Sequence, residues 1–127
     1  MLAASPVKSF AAGEVILDRD VSLRAIFVID QGAVRVEQGT GKDLVTLAVL
    51  GPGQFFGEMS FVVGTPTSAR VVANVRTELR LIDMATVDNL SEVDPTFAAR
   101  LYRSIAAILV ERLRLTSMEI LVQKPWV

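Results

Sequence analysis

Short apolar runs broken by glycine-bearing turns fill the first half of the chain, and one long, wide apolar stripe fills its last third. Val15-Ile16, Ala25-Ile26-Phe27-Val28-Ile29, Ala33-Val34-Arg35-Val36-Glu37 and Leu44 to Leu50 are continuous or alternating apolar segments of strand length. Val71-Val72-Ala73 and Glu78 to Ile82 repeat the pattern further on. Gly32 separates two of these runs, and Gly39-Thr40-Gly41 has the form of a hairpin turn. All eight glycines lie at or before Gly64. The pattern predicts about eight short strands folded into a sandwich or barrel.

The rhythm then changes. Asp83-Met84-Ala85-Thr86 reads as a helix start, and Asp94-Pro95 as another, with a carboxylate cap followed by proline at the first helical position. Thr96 to Gln123 contains neither glycine nor proline. Phe97, Leu101, Ile105, Ile108, Leu109, Leu113, Leu115, Ile120 and Leu121 recur there at helical spacing, with Arg112 interrupting the stripe. The stripe is wider than one contact with a barrel requires, so one side is expected to pack on the chain itself and the other to form a dimer contact. Glu111, Arg112, Arg114 and Glu119 read as a solvated face. The expected architecture is mainly β with C-terminal helices, an α+β arrangement in a single domain over 1–127. Its β part runs over about 8–83 and its helices over about 84–123.

Composition narrows the function classes. The 127 residues are 51% hydrophobic, enough for a core. The 13 basic and 14 acidic residues leave a net charge of −1, which gives no bulk attraction to nucleic acid. The chain has no cysteine and no histidine. Disulfides, Ser-His-Asp and Cys-His nucleophiles and a histidine-ligated metal of the cupin kind are thereby excluded, and the acidic residues show no ligand spacing. The longest apolar run near the C-terminus, Ile105 to Val110, is six residues, far from the ~20 a membrane span needs. Met1 to Pro6 lacks the charged and apolar regions of a signal peptide. The expectation is a cytoplasmic binding protein, not an enzyme and without a metal.

Two segments carry the candidate chemistry: Gly51-Pro52-Gly53-Gln54-Phe55-Phe56-Gly57-Glu58-Met59-Ser60 and Pro66-Thr67-Ser68-Ala69-Arg70-Val71-Val72-Ala73. Together they resemble the phosphate-binding cassette of the cyclic-nucleotide-binding domain family, a turn, one helical turn and a returning strand around a ribose and its cyclic phosphate. Lys8 to Ile16 is similar to that family's opening strand and turn, and Ile26 to Val36 to its central hairpin. Arg112-Leu113-Arg114-Leu115-Thr116-Ser117 resembles the C-terminal helix of the catabolite-activator branch of bacterial transcription regulators. The resemblance covers Lys8 to about Ile120 and implies an eight-stranded β-roll, or jelly roll, with flanking helices. It implies cyclic AMP or cyclic GMP as a weakly bound regulatory ligand, with no other cofactor. The binding residues it implies are Phe56, Gly57, Glu58, Met59, Ser60, Thr67, Ser68 and Ala69. Phe56 to Ser60 would form the helical turn, Glu58 would accept from a ribose hydroxyl, and Ser68 and the Ala69 N–H would donate to phosphate. Thr116 and Ser117 would reach the purine. It further implies a homodimer through the C-terminal helix and coupling of occupancy to that helix, with the output in a partner or a missing domain.

The departures from the family matter as much. Nucleotide-binding members usually carry an arginine after the proline, where this chain has Thr67. The nearest arginine, Arg70, lies three positions on, and on an extended strand an odd separation points to the opposite face. Asp20 and Leu23 stand where the family commonly has glycine, predicting altered turns. The last helix is about one turn longer than in catabolite activators, and no helix-turn-helix follows it, so neither DNA nor membrane is an expected partner of this chain. The plain readings stay open beside these. Gly57-Glu58 could be a barrel-closing turn, Thr67 and Ser68 local turn formers, Arg70 a solvated strand residue, and Thr116-Ser117 a helix-surface pair. The alternative function is a ligand-free interaction or dimerisation module that kept the fold.

Overall fold

The computed structural model describes residues 6–123, with side chains to 114. Eight strands are present: β1 (Val7–Phe10), β2 (Val15–Leu17), β3 (Ala25–Gln31), β4 (Val34–Gln38), β5 (Val45–Leu50), β6 (Phe55–Phe56), β7 (Arg70–Ala73) and β8 (Thr77–Asp83). Three α-helices accompany them: α1 (Glu58–Val63), α2 (Met84–Val93) and α3 (Phe97–Gln123). The chain forms two compact units, one up to Asp88 and the other from Asn89.

In the first unit the strands make two four-stranded antiparallel sheets, in the orders β1-β8-β3-β6 and β2-β7-β4-β5. Period-two alternation turns Ala25, Phe27 and Ile29 of β3 to one side. There they join Leu17, Val34, Phe56, Val71 and Leu79 in the core. The eight-stranded β-roll with helices expected from the sequence is the observed fold. Gly32 turns β3 into β4 at φ 94, and a Cβ there would lie 2.4 Å from the Arg76 carbonyl, so only glycine fits.

Three local expectations are corrected. Asp20 takes φ 58, the left-handed conformation a glycine would use, so this turn keeps its shape; short polar side chains tolerate that region best. Phe56 lies in a strand, and the helix begins at Glu58 rather than at Phe56. Strand β6 is two residues long because Phe55 and Phe56 pair with Val28 and Phe27 of β3, where the Phe27 and Phe56 rings stack at 4.9 Å and 3°. Arg70 is not a solvated strand residue but an ion-pair partner of buried Glu37, described below.

Both helix-start carboxylates, Asp83 and Asp94, cap as read, but Pro95 lies in a turn rather than at the first position of α3. Asp83 Oδ1 accepts from the Thr86 N–H and hydroxyl, both at 2.8 Å, at the head of α2. In the second unit Asp94 Oδ1 accepts from the Thr96 N–H and hydroxyl, and Arg100 pairs with the same carboxylate. These bonds hold both carboxyls below their usual range, with Thr86 and Thr96 the first causes. The chain turns through Pro95 before α3 proper begins at Phe97.

Candidate functional site

The site grows from Gly57. It caps α1 at φ 87, and a Cβ there would stand 2.7 Å from the Ala25 carbonyl and 3.2 Å from the Phe27 ring. The helix is thus seated directly on the start of β3, a closeness only glycine permits. Phe61 is fully buried and Ser60 nearly so, which fixes the inward face of α1. Gly64, at φ 85, ends the helix with its N–H on the Ser60 carbonyl at 3.0 Å. Glu58, half-buried, falls in the first turn, where a carboxylate is favoured by the helix dipole. Met59, Val62 and Val63 are exposed.

Two hydroxyls of the cassette, those of Ser60 and Thr67, are already bonded within the chain. Ser60 Oγ donates to the Thr65 carbonyl at 2.6 Å, closing the loop after α1. Thr67 is buried and makes four bonds to one neighbouring loop. Its Oγ1 donates to the Asp18 carbonyl at 2.6 Å and accepts from the Val21 N–H at 2.9 Å. Its N–H donates to the Val21 carbonyl at 3.0 Å, and its carbonyl accepts from the Asp20 N–H at 2.8 Å. The residue at the arginine position is therefore part of the wall. Ser68 is exposed, and Ala69 and Glu58 are half-buried. Phe56 is a core residue stacked on Phe27.

The cation of the returning strand, Arg70, is engaged elsewhere, together with Arg35 of β4. Arg70 and Arg35 flank Glu37, which is 3% exposed. Arg70 approaches one carboxylate oxygen at 2.7 Å and Arg35 the other at 3.1 Å, while Arg35 Nη1 also donates to Asn74 Oδ1 at 2.9 Å. Burial pushes the Glu37 carboxyl up, but the hydrogen bonds and charges of Arg70 and Arg35 together hold it below its ordinary 4.5. The pairing follows from register: Glu37 stands opposite Arg70 across β4 and β7.

Two contributors escaped sequence reasoning. Arg24 donates from Nε and Nη2 to the Phe61 carbonyl at 3.2 and 3.0 Å, and from Nη2 to Val62 at 3.5 Å, gripping the C-terminal end of α1. Asp18 receives the Thr67 hydroxyl. No spacing signals either contact, because the partners lie 37 and 49 positions away. Thr116 and Ser117 fall within α3, and their side chains lie outside the described residues.

Comparison with known proteins gives the family and the fold. The family model described as "Cyclic nucleotide-binding domain" matches residues 7–94. Cyclic GMP-binding protein C of Dictyostelium discoideum is 27% identical over 115 residues, which are 90% of this chain and 4% of that protein. Glutaminase 2 of Bradyrhizobium diazoefficiens is 30% identical over 109 residues, 86% of this chain and 17% of that protein. The crystal structure of the Thermus thermophilus catabolite activator protein superposes with a TM-score of 0.75 at 31% identity, covering 96% of this chain and 56% of that one. The chain spans only a small part of the curated relatives it matches.

Proposed function

The chain belongs to the cyclic nucleotide-binding domain family, and from that premise we propose that it is a regulatory module taking cyclic AMP or cyclic GMP weakly into the cassette. One observation carries the word weakly: Thr67 is built into the wall by four hydrogen bonds, and Arg70 is paired with Glu37. The grip then rests on neutral donors. Glu58 would accept from a ribose hydroxyl, and Ser68 Oγ and the Ala69 N–H would donate to the phosphate. Losing a charge-assisted partner of a partly buried phosphate costs on the order of 2–5 kcal/mol. That turns micromolar binding into roughly millimolar binding. Thr116 and Ser117 are the proposed purine contacts.

The module acts by binding, not catalysis, and a diffusible cyclic nucleotide places it in the cytoplasm. Its output lies in a partner or in a further domain, in keeping with relatives that are several times longer. Occupancy would reach that output by shifting the balance of α3 between two positions.

Calorimetric titration with cyclic AMP, cyclic GMP and a cyclic dinucleotide tests the reading. A mononucleotide should bind near the millimolar range. Thr67→Arg, which restores a cation, should tighten it while making the fold less stable. Sub-micromolar affinity in the unaltered chain would mean a cation elsewhere in the site. Absence of any binding at millimolar nucleotide would favour the second reading, a ligand-free dimerisation module. That reading draws on the exposed Ile108, Leu109, Val110 and Leu113 of α3.

A further inference from the structure

The loop between β2 and β3 touches both arms of the cassette. At one end Asp18, Asp20 and Val21 hold Thr67 through main-chain bonds and its hydroxyl. At the other, Arg24 grips the carbonyls of Phe61 and Val62, and the next residue, Ala25, is the seat of Gly57. We propose that residues 18–25 are an internal strap that holds the cassette in one arrangement without ligand, with Arg24 the positioning residue for α1 and Thr67 the positioning residue for the returning segment.

The physical need is plain. Helix α1 has six residues, far too few to persist by its own hydrogen bonds. Burial of Phe61 and the Gly57 seat fix its middle and its start. The last turn of any α-helix needs partners for its carbonyls from beyond the helix. The Arg24 guanidinium supplies forked donors there and a positive charge at the negative end of the helix. Glu58 rides on this helix, so its direction is set by the same grip. On the other arm, Thr67 closes two main-chain bonds with the loop, one to Val21 and one from Asp20, and adds a hydroxyl that both donates and accepts. The left-handed Asp20 bends the loop so that its N–H meets the Thr67 carbonyl. The chain thus keeps the two segments in place by bonds to itself.

Amide exchange of the full chain without nucleotide tests this, and its result stands apart from whether a nucleotide binds. In Arg24→Gln the amides of Phe61 and Gly64 should exchange about tenfold faster, the loss expected for charge-assisted bonds. The β1–β8 amides should be unchanged. Arg24→Lys should fall between, because an ammonium keeps the charge at the helix end without the fork. In Thr67→Val the Asp20 and Val21 amides should quicken while those of α1 hold. Unchanged exchange at Phe61 and Gly64 in Arg24→Gln, or quickening spread evenly over all strands, overturns the strap. Should Arg24→Gln not fold, Arg24→Lys carries the same test, and unchanged exchange there overturns it too. The consequence for affinity rests on the function proposed above: cyclic GMP binding should weaken in Arg24→Gln only as far as the fraction of chains with α1 seated falls, and so stay nearly unchanged while that fraction remains close to one.

Discussion

Two side chains decide most of the site's character, and each makes a separate prediction. Thr67→Val keeps the shape of the residue but leaves the Val21 N–H and the Asp18 carbonyl without their partner. It should lower unfolding free energy by about 1–3 kcal/mol, read as a shifted urea midpoint at constant slope. Glu37 predicts a pH effect. Its folded carboxyl titrates below its ordinary value, so the unfolded chain binds the proton more readily. The stabilisation is therefore complete above the ordinary 4.5 and is lost as pH falls from there through the lower folded value. Glu37→Gln should cost about 3–5 kcal/mol near pH 7 by leaving two arginines without their counter-charge. The gap between the unaltered chain and Glu37→Gln should narrow on acidification; a gap independent of pH between 7 and 3 would show that the ion pair is not its source. Subtracting the variant removes the parallel titrations of Asp83 and Asp94, which both keep. At this scale the sequence showed that an arginine was missing at Thr67 but not what Thr67 does instead. Its partners lie 46 and 49 positions away and are chosen by the fold. The same holds for Glu37 and Arg70, which read singly as ordinary strand polars and become a pair only through the β4–β7 register.

Elements whose signals are local were legible. A continuous apolar run marked β3 and alternation marked β4, glycines marked the turns, and Asp83 and Asp94 marked helix starts that the structure caps as read. Strand β6 was not legible. Two adjacent phenylalanines carry no period, and only the stack on Phe27 and the pairing with β3 make them a strand. The helix boundary moved for the same reason: Gly57 could not begin α1 until β6 had ended. Asp83→Ala should cost about 1 kcal/mol of stability by freeing the first turn of α2. Gly57→Ala should cost more, about 2–4 kcal/mol, since it combines a left-handed φ with a Cβ 2.7 Å from the Ala25 carbonyl. It should also abolish nucleotide binding, because relieving that clash lifts the N-terminus of α1 and moves Glu58. Retention of both stability and binding in Gly57→Ala would mean that α1 is not seated on β3 in solution.

The largest question for the whole molecule is what covers α3. At 1.5 Å per residue its 27 residues extend about 40 Å. Among its described side chains, only Phe97 and Ile105 are buried. Ile108, Leu109, Val110 and Leu113 are 41, 37, 58 and 67% exposed and lie within two turns of one another. A helix of this composition depends on packing for its persistence, and soluble monomers rarely leave so many large apolar side chains of one short stretch in water. A second copy is the occupant that needs no further assumption. A two-fold pairing places the same residues on both sides, so an apolar patch meets an apolar patch. A parallel arrangement would also bring the two Thr116-Ser117 pairs close together. Sedimentation should therefore show a dimer at micromolar concentration, and Ile108→Lys combined with Leu113→Lys should give a folded monomer. The proposed Glu58, Ser68 and Ala69 contacts all belong to the β-roll, so that monomer should lose at most the proposed contribution of Thr116 and Ser117: its nucleotide affinity should fall modestly. An unaltered chain that stays monomeric at high micromolar concentration would refute the pairing. A monomeric variant that loses nucleotide binding altogether would instead place an essential contact on the partner copy.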